Sequence, residues 1–136
     1  MNLDNILIFT SLIFITNAIT GLYKKKYIYS FLFFILTISS IVVHCDYSNH
    51  KAIIIDKIII CFILFYGFYI FLKNFKINIL LSLIVFSTFL SCIYLYCYGF
   101  IIKKYCFNED TNISRNYHML MHFFSCIGNH ALLFIH

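Results

Sequence analysis

The chain has 136 residues, of which 62% are hydrophobic and only 11% charged, and its formal net charge is +5. A soluble domain carries about 25% charged residues, so this composition argues against a soluble core. With no Pro and only 4 Gly to interrupt them, the long apolar stretches are typical of transmembrane helices. They do not alternate apolar with polar residues, as the strands of a transmembrane β-barrel would.

Five stretches along the chain are long and apolar enough to cross a bilayer, which takes about 20 mostly apolar residues. They are residues 6–23, 27–45, 52–72, 77–102 and 116–136. The first stretch lacks a basic start, so we expect a retained span rather than a cleaved signal peptide. No internal repeat or second domain is evident. The sequence predicts an all-α polytopic transmembrane bundle of about five spans, with residues 1–136 as one domain.

The basic residues between the spans predict how the chain is oriented. The connections after the first and third spans carry Lys24–Lys26 and the pair Lys73 and Lys76, and short basic connections face the cytoplasm. Five spans then place the N-terminus outside or in a lumen and the C-terminus in the cytoplasm. We expect an endomembrane location of ER or Golgi type. Because topology explains the positive charge, nucleic acid is not an expected partner.

Cysteine spacing and one sequon add two open questions on the outer side. The six Cys have no CxxC spacing, which argues against a thiolate zinc site. Cys45 and Cys106 both fall near the predicted outer face, so either a disulfide between them or two free thiols is compatible with the sequence. Asn112 begins a glycosylation sequon on the same side, and its use remains open.

Four ionisable residues lie within the predicted spans at a similar depth. His44 is near the outer end of the second span, Asp56 near the outer start of the third, and His118 and His122 in the first two turns of the fifth. Such residues are costly in a membrane and usually face the bundle interior or a watery cavity. Span parity alone places all four at one membrane face, whichever way the chain is oriented.

The spacing of these residues predicts a metal site. His118 and His122 are four residues apart and project from one side of a helix, so both can bind one zinc ion with nitrogen–metal distances of about 2.0–2.1 Å. His44 would be the third ligand and would leave one position open for water. Asp56 would hold or deprotonate this water, whose pKa zinc lowers to about 7. Ser40, four residues before His44, faces the same way.

Simpler interpretations of the same residues remain. A HxxxH pair alone is a weak signal, and a His at a membrane interface can simply be solvated. Asp56 could form a local ion pair with Lys57, or it could mark an exposed helix start. His50 is expected in a loop, and His130 and His136 are expected to pack or to be solvated rather than to bind metal.

The polar residues together resemble the pattern of the alkaline ceramidase family, within the membrane-hydrolase superfamily that also holds the adiponectin receptors. In that family a Ser precedes a His by four residues at the end of one helix. An Asp follows early in the next helix, and a HxxxH lies in the last. The corresponding segments here are Ser40–His44 (SIVVH), Asp56, and His118–His122 (HMLMH), with Gly128 six residues later. Residues Thr16–Thr20 (TNAIT) are similar to the family's first-helix segment.

The resemblance implies a zinc site made by His44, His118 and His122, with Asp56 and Ser40 assisting hydrolysis of an amide in a ceramide-like membrane lipid. Family members have seven spans, whereas this chain has room for five. Loss of one hairpin between the third and last spans would preserve parity, but it would remove walls of the lipid pocket.

Three hypotheses follow from the sequence. The first is a zinc-dependent hydrolase of a lipid amide. The second is a catalytically degenerate relative that binds lipid or a protein partner. The third is a haem-binding electron carrier with His44 and either His118 or His122 as axial ligands.

Overall fold

The computed structural model describes residues 4–135, and side chains from residue 6 onward. His136, the last position of the predicted fifth span, therefore lies outside the described residues. The helices are α1 (Asp4–Leu12), α2 (Phe14–Tyr23), α3 (Tyr27–Cys45), α4 (His50–Asn74), α5 (Ile79–Ile93), α6 (Gly99–Ile102) and α7 (Thr111–Leu133). A π-helical turn, Tyr94–Tyr98, joins α5 to α6, and a 3₁₀ turn, Tyr105–Phe107, precedes α7. No β-strand occurs between residues 4 and 135, and the all-α prediction is confirmed.

Within the described residues, four helical segments are long and apolar enough to cross a membrane. They are Ile6–Tyr23, Tyr27–Cys45, His50–Asn74 and Ile79–Ile102. The first two coincide with their predicted spans, and the ends of the other two lie within two residues of the predicted ones. Helix α7, which contains most of the predicted fifth span, has 23 residues but a more polar sequence, and it is not one of the four. The fifth span therefore stays a prediction.

Helix starts are set by capping side chains in the connections. Side-chain oxygens of Asn49, Asn78 and Asp110 each accept a backbone N–H from the first turn of the helix that follows, at 3.1, 3.1 and 2.8 Å. These residues are among the best N-caps because their short polar side chains satisfy otherwise unpaired amides. The cap at Asp110 starts α7 at Thr111, before the predicted span start at Asn116.

Two of the candidate spans are not uniform α-helices. The first is divided at Ile13, whose backbone N–H bonds to the carbonyl of Thr10, three residues back. The fourth contains the π-helical turn, which widens the helix over five residues. Such turns often occur at functional sites, and this one carries Tyr96.

Helix α7 packs against α1, α2, α4 and α5, whereas α3 packs against α1, α2 and α4. The core includes the fully buried side chains Tyr29 and Phe33 of α3 and Leu133 of α7. Large apolar side chains cover the outside, and Phe65 is 77% exposed. Apolar residues this exposed are expected where lipid, rather than water, surrounds the helices.

The contact between α5 and α7 depends on Gly128. A Cβ placed on Gly128 would clash with the hydroxyl of Thr88 on α5. Farther along the same interface, the Cys92 thiol donates to the carbonyl of Met121 at 3.7 Å. These contacts set the register of α5 against α7.

Candidate metal centre

Three imidazoles converge where the end of α3 meets the first half of α7. One ring nitrogen each from His44, His118 and His122 lies within 4.8 Å of the other two. The ring centroids of His44 are 5.2 Å from His118 and 5.5 Å from His122, and the α7 pair is 5.0 Å apart. His44 and His122 are each only 4% exposed. The structure thus brings together all three residues that the sequence proposed as metal ligands.

The donor set fits zinc. Three nitrogens bound to one tetrahedral zinc ion at about 2.0–2.1 Å would lie about 3.3 Å from one another. The observed separation of up to 4.8 Å is small enough for side-chain rotation to close. The cluster contains imidazoles alone, a ligand set known from catalytic zinc sites, where the fourth position stays open.

Thr10 of α1 orients the imidazole of His122. Its Oγ1 donates to the carbonyl of Leu7 at 3.2 Å and lies 3.0 Å from Nδ1 of His122. Because the hydroxyl has one proton and Leu7 receives it, Thr10 accepts from Nδ1–H of His122. The lone pair of His122 is then on Nε2, available to a metal. Partners of this kind fix the tautomer and ring orientation of metal-binding histidines.

Tyr47 plays the corresponding part for His44. Its hydroxyl lies 2.7 Å from Nδ1 of His44 and helps to fix the orientation of that ring. The turn that carries Tyr47 is built by Asp46, whose carboxylate accepts from the backbone N–H and the hydroxyl of Ser48 at 3.0 and 2.6 Å. These hydrogen bonds lower the pKa of Asp46. The short turn between α3 and α4 therefore supports the metal centre.

The two predicted catalytic residues are buried nearby but are bonded to other side chains. Ser40 is 5% exposed and accepts from the hydroxyl of Ser11 at 3.1 Å. Asp56 is also 5% exposed, and its carboxylate accepts from the hydroxyl of Ser39 at 2.8 Å. Asp56 does not join the three-His cluster, which is formed by His44, His118 and His122 alone. The role of Asp56 towards a metal-bound water stays a prediction.

Sequence reasoning missed the side chains behind the ligands: Thr10, Ser11, Ser39 and Tyr47. The sequence did contain a signal for a polar face on the first span. Thr10 and Asn17 are seven residues apart and therefore share a face in an otherwise apolar helix. Neither Ser39 nor Tyr47 stood out from its neighbours, since a serine pair and a loop tyrosine are common.

His130 belongs to a separate polar cluster, two turns beyond His122 on α7. The side-chain amide of Asn17 on α2, which is fully buried, donates to Nδ1 of His130 at 2.8 Å and to the carbonyl of Cys126 at 3.1 Å. These hydrogen bonds join α2 to α7. His50, expected in a loop, is the exposed first residue of α4.

Cys45 and Cys106 are free thiols in the structure, so the possible disulfide between them is not formed. Cys45 is exposed, whereas Cys106 is buried beneath the start of α7. Burial raises the pKa of Cys106 to about 11, which keeps its thiol protonated and unreactive at neutral pH.

A cavity of about 160 Å³ lies between α4 and α5, with α7 as its floor. Leu64, Phe68 and Phe86 line it and are 45, 53 and 52% exposed. The cavity is therefore open on the side that would face lipid. Its floor includes Ser125 and Asn129, so an otherwise apolar groove has polar groups at its base.

No protein-family model matches the sequence, and neither a curated protein nor a solved structure is detectably similar to it.

Proposed function

We propose that this protein is a zinc-dependent integral membrane hydrolase that cleaves an amide bond in a ceramide-like lipid. The observation that supports this most is the convergence of His44, His118 and His122 from two helices. Their candidate nitrogens lie within 4.8 Å of one another, although 74 residues of sequence separate His44 from His118 (118 − 44 = 74). Buried histidines are usually satisfied by one polar partner, and three in mutual contact are typical of a metal site.

The proposal includes a distant relationship to the alkaline ceramidases. The SIVVH, Asp56 and HMLMH segments carry it, and α7 would be the fifth span, with the N-terminus in a lumen and the C-terminus in the cytoplasm. Helix α7 is long enough, at 23 residues, and its polar side chains are compatible with a span that packs among other helices. Relative to that family, the chain would lack one pair of spans, between its third and last spans.

The reaction adds water across the amide. Oxygen from water bonds to the acyl carbon, the carbon–nitrogen bond breaks, and one proton goes to the leaving amine, giving a fatty acid and a free amine. Zinc, when bound, supplies a Lewis acid that polarises the carbonyl and lowers the pKa of water to about 7.

The chain's own residues have three roles in this proposal. His44, His118 and His122 would hold the metal, while Thr10 and Tyr47 keep two of the rings in place. Asp56, oriented by Ser39, takes the proton from water and passes it to the leaving amine. Ser40, whose hydroxyl lies 3.1 Å from that of Ser11, donates a hydrogen bond to the developing oxyanion.

The groove between α4 and α5 supports a lipid substrate. An acyl chain can enter it from the bilayer, since Leu64, Phe68 and Phe86 at its walls are about half exposed. Apolar contact with such a chain would contribute about 0.8 kcal/mol per buried methylene group. A water-soluble amide would lack this contribution.

The test uses the full chain purified in detergent or nanodiscs. Mass spectrometry of metals should find about one zinc per chain, and ceramides and other N-acyl lipids should release fatty acid. Chelation should stop the release, and added zinc should restore it. The His44→Ala variant should lose zinc and activity, whereas the exposed His50→Ala control should retain both. Full zinc content in His44→Ala would contradict the assignment.

The degenerate relative is the second candidate, and the position of Asp56 favours it. The Asp56 carboxylate already accepts a hydrogen bond from Ser39, which occupies part of its capacity to act as a base. If the purified chain holds zinc but releases no fatty acid from any N-acyl lipid, this second proposal replaces the first.

The haem hypothesis fits the geometry less well. Axial imidazoles bind haem iron from opposite faces of the porphyrin, whereas these three rings contact one another at centroid distances of 5.0 to 5.5 Å. A visible haem absorption band in the purified protein would nevertheless revive it.

A further inference from the structure

Lys57 is a half-buried cation inside the candidate span His50–Asn74. Its ammonium group lies over the ring of Tyr96, 4.6 Å from the centroid. A local ion pair with Asp56 was one expectation from the sequence. The Asp56 carboxylate instead accepts from Ser39, so the chain directs these adjacent charges to different partners.

The packing of the helices places Lys57 at the depth of the metal centre. The hydrogen bond from Ser39 to Asp56 aligns the start of α4 with the last turns of α3, close to His44. On the other side, the contact of Cys92 with Met121 aligns α5 with α7. Tyr96 is one turn beyond Cys92, which brings its ring to the level of His118 in the antiparallel helix.

A charge effect outside the spans agrees with this placement. Burial raises the pKa of Cys106 to about 11, and the ammonium group of Lys57 opposes that rise. The Cys106 carbonyl accepts from the hydroxyl of Ser114 in the first turn of α7, the helix that carries His118 and His122. A positive charge therefore borders a site whose proposed metal ligands are uncharged imidazoles.

The same side of α4 continues into the groove. Leu64 is seven residues after Lys57 and so lies two turns farther along one helix face, where it lines the cavity between α4 and α5. A lipid with its chain in that cavity would direct its polar end towards Lys57 and the three histidines.

We propose that Lys57 binds an anionic group, carboxylate or phosphate, at the polar end of the substrate lipid. This inference rests on the proposed amide hydrolysis and narrows its substrate class to N-acyl lipids whose amine portion carries a negative charge. A partly desolvated ammonium binds an anion more strongly than one in water does. The contact with Tyr96 holds the cation in place without neutralising it. Lys57 is thus a specificity-determining residue.

The experiment compares three lipids that share a palmitoyl amide and differ at the polar end. N-palmitoylglycine carries a carboxylate, N-palmitoyl-phosphoethanolamine a phosphate, and N-palmitoylethanolamine no charge. We expect kcat/KM to be about tenfold or more higher for at least one anionic lipid, the size of a contact worth about 1.4 kcal/mol. The better of the two anions identifies the group that Lys57 binds.

Variants assign the preference to Lys57. Lys57→Gln should bring the ratio of kcat/KM for the anionic lipid to kcat/KM for the neutral lipid down to about one, and Lys57→Arg should retain most of the preference. Lys51→Gln is the matched control, because Lys51 is an exposed cation near the same end of α4. Equal rates on the neutral and anionic lipids, or a preference unchanged in Lys57→Gln, would overturn the inference.

Direct binding separates this inference from the proposed reaction. Native mass spectrometry of the full chain measures binding of the same three lipids whether or not they are hydrolysed. Anion-selective binding that Lys57→Gln abolishes, without fatty acid release, would support the role of Lys57 and reject the hydrolase. Fatty acid release without any anion selectivity would support the hydrolase and reject the role of Lys57.

Discussion

Helix α7 contributes histidines to two polar clusters, and the surroundings of the two clusters differ. His118 and His122 meet His44 of α3 at one end of the bundle. His130, two turns farther along, meets the amide of Asn17 on α2 instead. In both clusters a histidine ring on α7 is hydrogen-bonded to a side chain of the first span.

The difference lies in what the neighbouring helices provide. At His122, the first span contributes a hydroxyl that occupies one ring nitrogen, and α3 contributes a further imidazole. At His130, the first span contributes the Asn17 amide, which donates both to the ring and to the backbone carbonyl of Cys126. One arrangement brings three imidazoles together, as a metal site requires. In the other, the Asn17 amide N–H group holds the ring, while its Oδ1 atom has no hydrogen-bond partner among the described residues.

The largest expected effect is on zinc content, which should depend on the three-His cluster and not on the cluster of His130. His122→Ala should reduce zinc from about one per chain to almost none, because two imidazoles remain where zinc needs at least three protein ligands. His130→Ala should leave zinc content unchanged. Metal mass spectrometry on both purified variants checks this, and equal zinc in the two would remove the distinction.

Thr10→Val tests the hydroxyl behind the metal centre. The substitution keeps the side-chain shape but removes the acceptor for Nδ1–H of His122, so zinc affinity should fall by about 10–100-fold. Competition with a chromophoric chelator measures this change. Thr20→Val is the matched control, because the Thr20 hydroxyl donates only to the backbone of its own helix in the described hydrogen bonds.

Gly128→Ala tests the helix contact between the clusters. The added methyl group would meet the Thr88 hydroxyl and push α5 from α7, at a cost of about 1–3 kcal/mol in the free energy of unfolding. Pairing it with Thr88→Ala should recover part of the loss. If Gly128→Ala unfolds at the same denaturant concentration as the wild type, the close approach of the helices is not needed.

The smallest effect is expected at Asn17. Asn17→Leu removes the donor to His130 and to the Cys126 carbonyl, which should lower the free energy of unfolding by about 1–2 kcal/mol. Zinc content should not change, since Asn17 contacts the second cluster alone among the described hydrogen bonds. A loss of zinc from the folded variant would mean that the clusters are coupled.

The spans were the most predictable part of the fold. Residues 27–45 were predicted from apolar length, and α3 is Tyr27–Cys45, because a bilayer imposes a fixed thickness on any helix that crosses it. The start of α7 was less predictable, since the Asp110 cap extends the helix through residues too polar to belong to a span. The π-helical turn at Tyr94–Tyr98 had no sequence signal at all.

The candidate site was predictable where helix periodicity and span parity decide it. Four-residue spacing puts His118 and His122 on one face, and parity puts His44 at the same end of the bundle. The rotation of each helix about its axis is set by packing, and this decided which serine meets Asp56. Ser39, which the sequence did not single out, makes the hydrogen bond to Asp56, whereas Ser40 lies against Ser11.

By itself, therefore, the sequence determined the apolar helices and the depth of the polar residues, because hydrophobic length and helical period are local properties of the chain. Only the tertiary structure decided that three imidazoles meet, that His130 pairs with Asn17, and that Lys57 lies over Tyr96. Those contacts depend on how helices far apart in sequence are rotated and aligned against each other, which close packing of side chains fixes.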